Sequence, residues 1–548
     1  MTEHISPDDA LRAAGAREER FTAVDSLKGS GGAAAAVAAA GPPGSAECDG
    51  SARRNRREAI IAAVDDAGVG FWRDRRGDAY ATVPRAGRLE RYPVRSREFR
   101  NLVQLIYGDA NPVSGPNGKL RPGSAPAQAL SEALSTFEAM ALRSETRDPR
   151  PRLCRGPDGA VWLDLGGPDW RLVRITADGW RLVDQADVPL IRSPGLLALP
   201  VPSRSANALG DLARLLNLRG GEDGAPGADF MLVVAWLVAA LHPEGPFPVL
   251  AVDGEQGSGK STVTKMLRRL VDPNHADARA APREERDLLI AARNGRVVAL
   301  DNLSGLDAAM ADALCRVATG GGFGERMLYT NGEEHVVHVC NPVLLNGIPS
   351  LLARGDLADR AIAVTLPPIP DERRRPEAEV WRDFDAAAPG ILALLLDGLA
   401  TALRNLPTLR LPRLPRMADF ARLACAAAPA FGWTATQMLA AMEENRATAV
   451  AGVIEADPVA VAVQAIAEER GRWTGTASEL LAMINDRTPI ERQRERDWPK
   501  DATRLSGRLR RVAPALRRAG VEVSQDRTGA ARLISIASNK GQSASPAS

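Results

Sequence analysis

Apolar positions along the chain follow three rhythms. Residues 159–165, 170–175 and 180–183 alternate apolar and polar side chains, with turn residues at 166–168 and 177–179. This pattern predicts a β-meander whose tryptophans pack in its core. Helical spacing marks residues 56–67 through Ile60, Ile61 and Val64, and residues 97–107 through Phe99, Leu102, Val103 and Ile106. Residues 127–142 form a further helical segment, and 71–83 read as two short strands, so 51–150 is expected to be an α+β module. Residues 230–241 are apolar almost all round, which predicts a buried helix. Two unbroken runs, 249–252 and 297–300, predict buried strands. Helical spacing returns after a Pro/Arg linker at 367–376. It predicts two helices within 377–406 and more over 417–442, broken near 429–433.

Length and composition set bounds on this pattern. The chain has 548 residues, too many for one core and enough for about three to four domains. Its net charge of +2 is nearly neutral, so any nucleic-acid contact depends on local patches. The five cysteines are scattered without CxxC spacing, and the histidines form no ligand set. These point to reduced thiols in a cytoplasmic protein and away from zinc. The first residues lack a basic-then-apolar leader, and the 230–241 run is too short to span a bilayer. No membrane partner is therefore expected. Residues 1–50, with Ala/Gly/Pro low complexity at 29–44, and 538–548 are expected to be disordered tails.

The candidate chemistry centres on Gly254, Glu255, Gln256, Gly257, Ser258, Gly259, Lys260 and Ser261, which fit G-x-x-x-x-G-K-[ST] without mismatch. The buried run precedes this stretch, and an amphipathic helix containing Thr262 follows it. A strand, a glycine loop and a helix in that order make a phosphate cradle. Lys260 is expected to reach the β/γ-phosphates of ATP, and the Ser261 hydroxyl to hold Mg²⁺. A second acid completes such a site. Asp301 ends the 297–300 run about forty residues on, with room for an extra strand between. Asn302 follows, where a catalytic acid would be useful. Glu255, Glu284 and Glu285 are unranked substitutes for it.

Downstream lie 319–326, TGGGFGER, a β-rich stretch turning at Asn331-Gly332, the run 341–347, NPVLLNG, and then Arg360. This order resembles superfamily III helicases and the primase-helicases of phages and plasmids, which are AAA+-like P-loop ATPases. It resembles still more the actinobacterial mobile-element ATP-binding proteins that carry DNLS and ATGGGFG. The resemblance covers residues 247–366 well and the remainder loosely. It implies an α/β P-loop NTPase core over 205–376 and a helical lid over 377–455. It also implies that Asn346 senses the γ-phosphate and that Arg360, with Arg354 as a weaker choice, is an arginine finger reaching a neighbour in a homo-oligomeric ring. By the same resemblance Arg326 lies near a DNA-touching hairpin, although the tip carries Glu333 and Glu334. A structural ion pair of Arg360 with Asp356 or Asp359 is the plain alternative.

Residues 456–537 read helix, strand, helix, helix, hairpin, the order of a winged helix. Its third helix carries Arg504, Arg508 and Arg511, and its hairpin carries Arg527, which suit DNA backbone contact. A solvated or protein-binding face is the alternative. With 151–204 as a structural bridge, the whole predicts an ATPase that moves DNA, helicase-like, for a mobile element. A non-translocating ATP-dependent switch is the second possibility, and a small-molecule kinase the third.

Overall fold

The computed structural model describes residues 46–538 apart from 116, 221–226, 327–333, 348–354, 496–497 and 529–530. The expected tails at 1–45 and 539–548, the hairpin tip around Asn331 and the weaker candidate Arg354 lie outside the described residues. Residues 46–50, read as tail, belong to the helix Ala46–Asp66, and Ser538, likewise read as tail, ends the strand Ala531–Ser538.

The first folded region pairs three strands, Gly70–Arg73, Ala79–Arg85 and Arg88–Pro93, in an antiparallel sheet. The third strand was not read from the sequence, because Arg88, Glu90 and Arg91 break its apolar rhythm. Helices Arg97–Ala110 and Ala127–Leu142 pack on this sheet through Phe99, Val103, Leu130 and Phe137. The meander forms as four antiparallel strands in sequence order, with Leu153–Arg155 added ahead of the three expected. Trp162 and Trp170 are buried, and Trp180 is partly buried with its indole N–H donating to Asp397 at 2.9 Å. Leu163, Val173 and Ile175 share one core with the buried helix Ala228–Ala240 and with later helices, so the meander has no separate core of its own on that face.

A four-stranded parallel sheet follows, in the spatial order Val298–Leu303, Val343–Gly347, Val249–Gly254, Ala361–Leu366. The extra strand expected between Lys260 and Asp301 is reduced to a single parallel bridge, Arg279 to Leu300. Only Arg279 exchanges backbone bonds there, with Ala299 and Asp301. One face of the sheet carries the helix Lys260–Val271 and joins the large core, and the other packs on the helices Glu285–Arg293 and Ala308–Thr319. The GGGFG segment forms the strand Gly321–Arg326, antiparallel to Glu334–Val339.

Residues 377–405, read as two helices, form one helix, Glu377–Asn405, that runs through Pro389. Proline removes one helical hydrogen bond, but Phe384 and Ala388 before it and Ile391, Leu392, Leu395, Leu396 and Leu399 after it are buried. This helix is also long and apolar enough to cross a membrane by length and composition, and most of it is buried against the rest of the protein. The C-terminal region orders its helices Pro458–Arg470, Ala477–Arg487 and Ala502–Arg518 around a sheet of Arg472–Thr476, Ala531–Ser538 and Val521–Thr528, in that spatial order. Its core is distinct and includes Val459, Ile466, Leu480, Leu505, Leu509 and Ile536.

Candidate nucleotide-binding site

The loop at 254–261 leaves the carboxyl end of the strand Val249–Gly254 and enters the helix Lys260–Val271. The connection from this strand to the Asp301 strand passes over the Asn346 strand between them. The carboxyl edge beside such a reversal in strand order is where open α/β sheets receive ligands. Gly259 caps the helix at φ 84°, in the left-handed region that suits glycine. Ser258 is fully buried, and its hydroxyl has no hydrogen-bond partner. Lys260 Nζ donates to the carbonyls of Gly254 and Glu255, each at 2.7 Å, which folds the ammonium over the loop mouth. Glu255, Gln256 and Gly257 are exposed, and Thr262 is half-buried behind Ser261.

Asp301 reaches this loop through a local irregularity. The register between the Asp301 and Asn346 strands shifts between Leu300 and Leu303. Within that shift Asn302 adopts φ 56°, a left-handed conformation that asparagine tolerates better than most residues. A bulge of this kind re-aims a side chain. Here it accompanies a hydrogen bond from the Ser261 hydroxyl to Asp301 Oδ1 at 2.9 Å, across forty positions of sequence. A hydroxyl and a carboxylate held together beside a glycine loop form a donor set suited to a hard divalent cation such as Mg²⁺.

Asn346 is positioned differently from a free sensor. It is buried, its Oδ1 accepts from the Asn302 backbone N–H at 2.8 Å, and its Nδ2 donates to Thr264 Oγ1 at 2.8 Å. It therefore clamps the Asp301 bulge to the helix that follows the loop. Burial pushes the Asp253 carboxyl above its usual range, against a hydrogen bond with Thr365 and the charge of Lys260. Of the substitute acids, Glu285 is paired with Arg316 at 2.7 Å, and Glu284 stands at the N-cap position of the next helix without a side-chain capping bond.

Arg360 stands apart from this cluster. Its carbonyl accepts from Val249 N, at the start of the strand whose other end is Gly254. Five residue steps at about 3.3 Å separate the two ends by roughly 17 Å, so Arg360 cannot serve the loop of its own chain. Its guanidinium donates to the Asp356 carbonyl at 3.1 Å and lies 3.7 Å from that carboxylate, the ion pair weighed as the alternative. Of Arg326 and Arg527, only their places in the strands Gly321–Arg326 and Val521–Thr528 are described. On the helix Ala502–Arg518, Arg504 and Arg511 are exposed, whereas Arg508 is largely covered and pairs with Asp457 at 2.9 Å. Among the described residues no cluster of His, Cys, Asp and Glu could hold a metal by itself, and Cys154, Cys315, Cys340 and Cys425 are free thiols.

Comparison with known proteins bears on this geometry. Residues 214–448 match the actinomycete integrative conjugative element replication protein, RepA. Residues 459–546 match the RepA C-terminal domain of the same elements. Over more than half of its length this chain is similar to RepA. The similarity associates it with the replication of a mobile element. The first RepA segment contains the glycine loop, Asp301, Asn346 and Arg360. The second begins one residue into the helix Pro458–Arg470. No curated protein matches the chain. Among solved structures, the A form apo structure of the NrS-1 C-terminal region superposes with a TM-score of 0.37 and 13% identity, covering 87% of this chain and 99% of that one. A second apo structure of that region gives a TM-score of 0.38 and 12% identity, covering 87% and 98%. Superpositions this loose say nothing of what either chain binds.

Proposed function

We propose that this RepA-like chain binds ATP with Mg²⁺ on the loop at 254–261 and couples ATP hydrolysis to work on DNA during replication of a mobile element. The observation that carries the reading is the Ser261–Asp301 hydrogen bond. It joins the two sequence segments that a P-loop ATPase needs at one point, at the carboxyl edge of a parallel sheet. In this reading the loop's backbone N–H groups and Lys260 take the phosphates, and Ser261 binds Mg²⁺ directly. Asp301, bonded to that hydroxyl, would help to hold the ion. Lys260 leaves its two carbonyl partners to do so. The C-terminal region acts as a winged helix, with Arg504 and Arg511 presented to the phosphate backbone.

Arg360 completes the site only from a neighbouring copy. Its place at the far end of the strand means that a finger role for Arg360 requires a neighbouring copy, as in a ring. The test is ATP turnover with and without DNA, alongside a strand-displacement assay. Wild-type turnover is expected to rise with DNA, and both activities are expected to vanish in Lys260→Ala. Turnover that ignores DNA sinks the motor reading.

The second reading, a non-translocating switch, is favoured by one observation. Asn302 offers no carboxylate next to Asp301, and Glu285 is committed to Arg316. Asparagine can orient water but cannot take its proton. Tight ATP binding with negligible turnover is the outcome that selects this reading.

A further inference from the structure

We propose that Arg374 is a same-chain phosphate ligand of the loop at 254–261. The proposal rests on the reading of that loop as a nucleotide site.

Four contacts carry it. After the strand Ala361–Leu366 the chain stays beside the glycine loop. A Cβ placed on Gly254 would lie 2.6 Å from the Leu366 carbonyl oxygen. The Asn217 side-chain amide donates to both the Pro367 carbonyl, at 2.6 Å, and the Ser258 carbonyl, at 3.1 Å. A Cβ on Gly259 would lie 3.3 Å from Ile369 Cδ1. A Cβ on Gly257 would lie 3.5 Å from Arg374 Nη2. Residues 366–374 therefore form a strap along the loop, tied to it by Asn217, and the strap brings a guanidinium against the exposed glycine in the middle of the loop.

The strap is short and guided. Pro367, Pro368 and Pro370 restrict its backbone, and Asp371–Arg373 forms a single 3-10 turn that ends at Arg374. The guanidinium is paired with Asp371 at 3.1 Å, and the two side chains are 62% and 82% exposed. An exposed pair of this kind contributes little and is readily exchanged. A guanidinium offers a planar fork of donors to phosphate oxygens, which is the stronger contact once a nucleoside triphosphate is present. Lys260 approaches the loop mouth from the helix, and Arg374 approaches from the strap. With Arg360 confined to the opposite end of the strand, Arg374 supplies the guanidinium that the chain's own site receives.

The test is calorimetric titration of the full chain with Mg·ATP. Arg374→Ala is expected to weaken binding about tenfold or more, the size of one charge-assisted contact. Its melting temperature is expected to match wild type, because the residue is exposed. Arg374→Lys is expected to recover part of the loss, and Asp371→Ala to tighten binding or leave it unchanged. Lys260→Ala serves as the reference for a damaged loop. If Lys260→Ala loses binding and Arg374→Ala binds as wild type, the assignment of Arg374 is overturned and the nucleotide site stands. If wild type itself binds no Mg·ATP, the site fails and Arg374 fails with it.

Discussion

The Ser261 hydroxyl donates to Asp301 Oδ1 at 2.9 Å. Neither residue is placed by its own segment alone. Ser261 sits in the first turn of the helix Lys260–Val271, and Asp301 is directed by a register shift in a strand two positions away in the sheet. In the proposed reading this contact brings together the two side chains that would hold Mg²⁺. Asp301→Asn keeps the shape and an acceptor oxygen but removes the charge. It is expected to lower Mg²⁺-dependent ATP turnover by about a hundredfold or more, the loss typical of removing one preorganised group. ATP binding, followed by calorimetry, is expected to change only a few-fold.

Asn346 tests a different relationship. A residue that only senses the γ-phosphate affects turnover when it is truncated. This asparagine instead holds the Asn302 N–H and the Thr264 hydroxyl in a buried setting. Asn346→Ala leaves the buried Thr264 hydroxyl and the part-buried Asn302 N–H without this partner and is expected to lower stability by about 1–3 kcal/mol, the cost of one unsatisfied buried group. Chemical denaturation in the absence of nucleotide checks this. A midpoint equal to wild type removes the clamp.

The bulge at Asn302 makes its own prediction. At φ 56° an alanine is strained, while a glycine is not. Asn302→Ala is expected to lower stability by about 1 kcal/mol, and Asn302→Gly to stay close to wild type. The two substitutions remove the same side chain, so the difference between their melting temperatures isolates the backbone conformation.

What the sequence showed and what it concealed divide along physical lines. The glycine loop, the Asp301 run and the strand–helix–hairpin order of residues 472–538 depend on neighbours a few positions apart, so local pattern reveals them. The 97–110 and 127–142 helices were legible for the same reason, since each shows an apolar stripe. The role of Asn346 was not, because its two partners lie 44 and 82 positions away. The long helix through Pro389 misled for a related reason. A proline is a local break signal, and it is overridden here by burial on both sides. The extra strand was expected from spacing alone, but the segment around Arg279 carries almost nothing apolar to bury and pairs at one residue. Arg508 looked like its neighbours on a basic helix, and only the fold shows that it faces Asp457.

A buried ionic cluster at the far end of the helix Lys260–Val271 was invisible in the sequence and has a large expected effect. Asp272 closes that helix. Its carboxylate meets Arg152 at 3.2 Å and Arg268 at 3.8 Å, and accepts the backbone N–H groups of Arg296 and Val297. The two guanidinium side chains and the carboxylate are at most 3% exposed. Arg152 also donates to the carbonyls of Asp164, Leu197 and Pro273, so the meander is fastened to the sheet through this point. Removing one partner of a buried pair leaves the other charge uncompensated. Asp272→Asn is expected to cost about 3–5 kcal/mol in denaturant unfolding, with the slope of the transition unchanged.

The basic helix Ala502–Arg518 separates structural arginines from those available to a partner. Arg508 and Asp457 are 16% and 17% exposed, and Asp457 also caps the helix Pro458–Arg470 by accepting from Val459 and Ala460. Arg508→Ala is therefore expected to lower the melting temperature by loosening the junction of two helices. Arg511 is exposed on the same helix. Arg511→Ala is expected to leave the melting temperature unchanged and to weaken binding to duplex DNA uniformly across sequences. Losing one phosphate contact should reduce the slope of log affinity against log salt by about one. Fluorescence anisotropy over a range of salt concentrations reads that slope. If Arg511→Ala keeps the wild-type slope and affinity, this face of the helix does not meet the phosphate backbone.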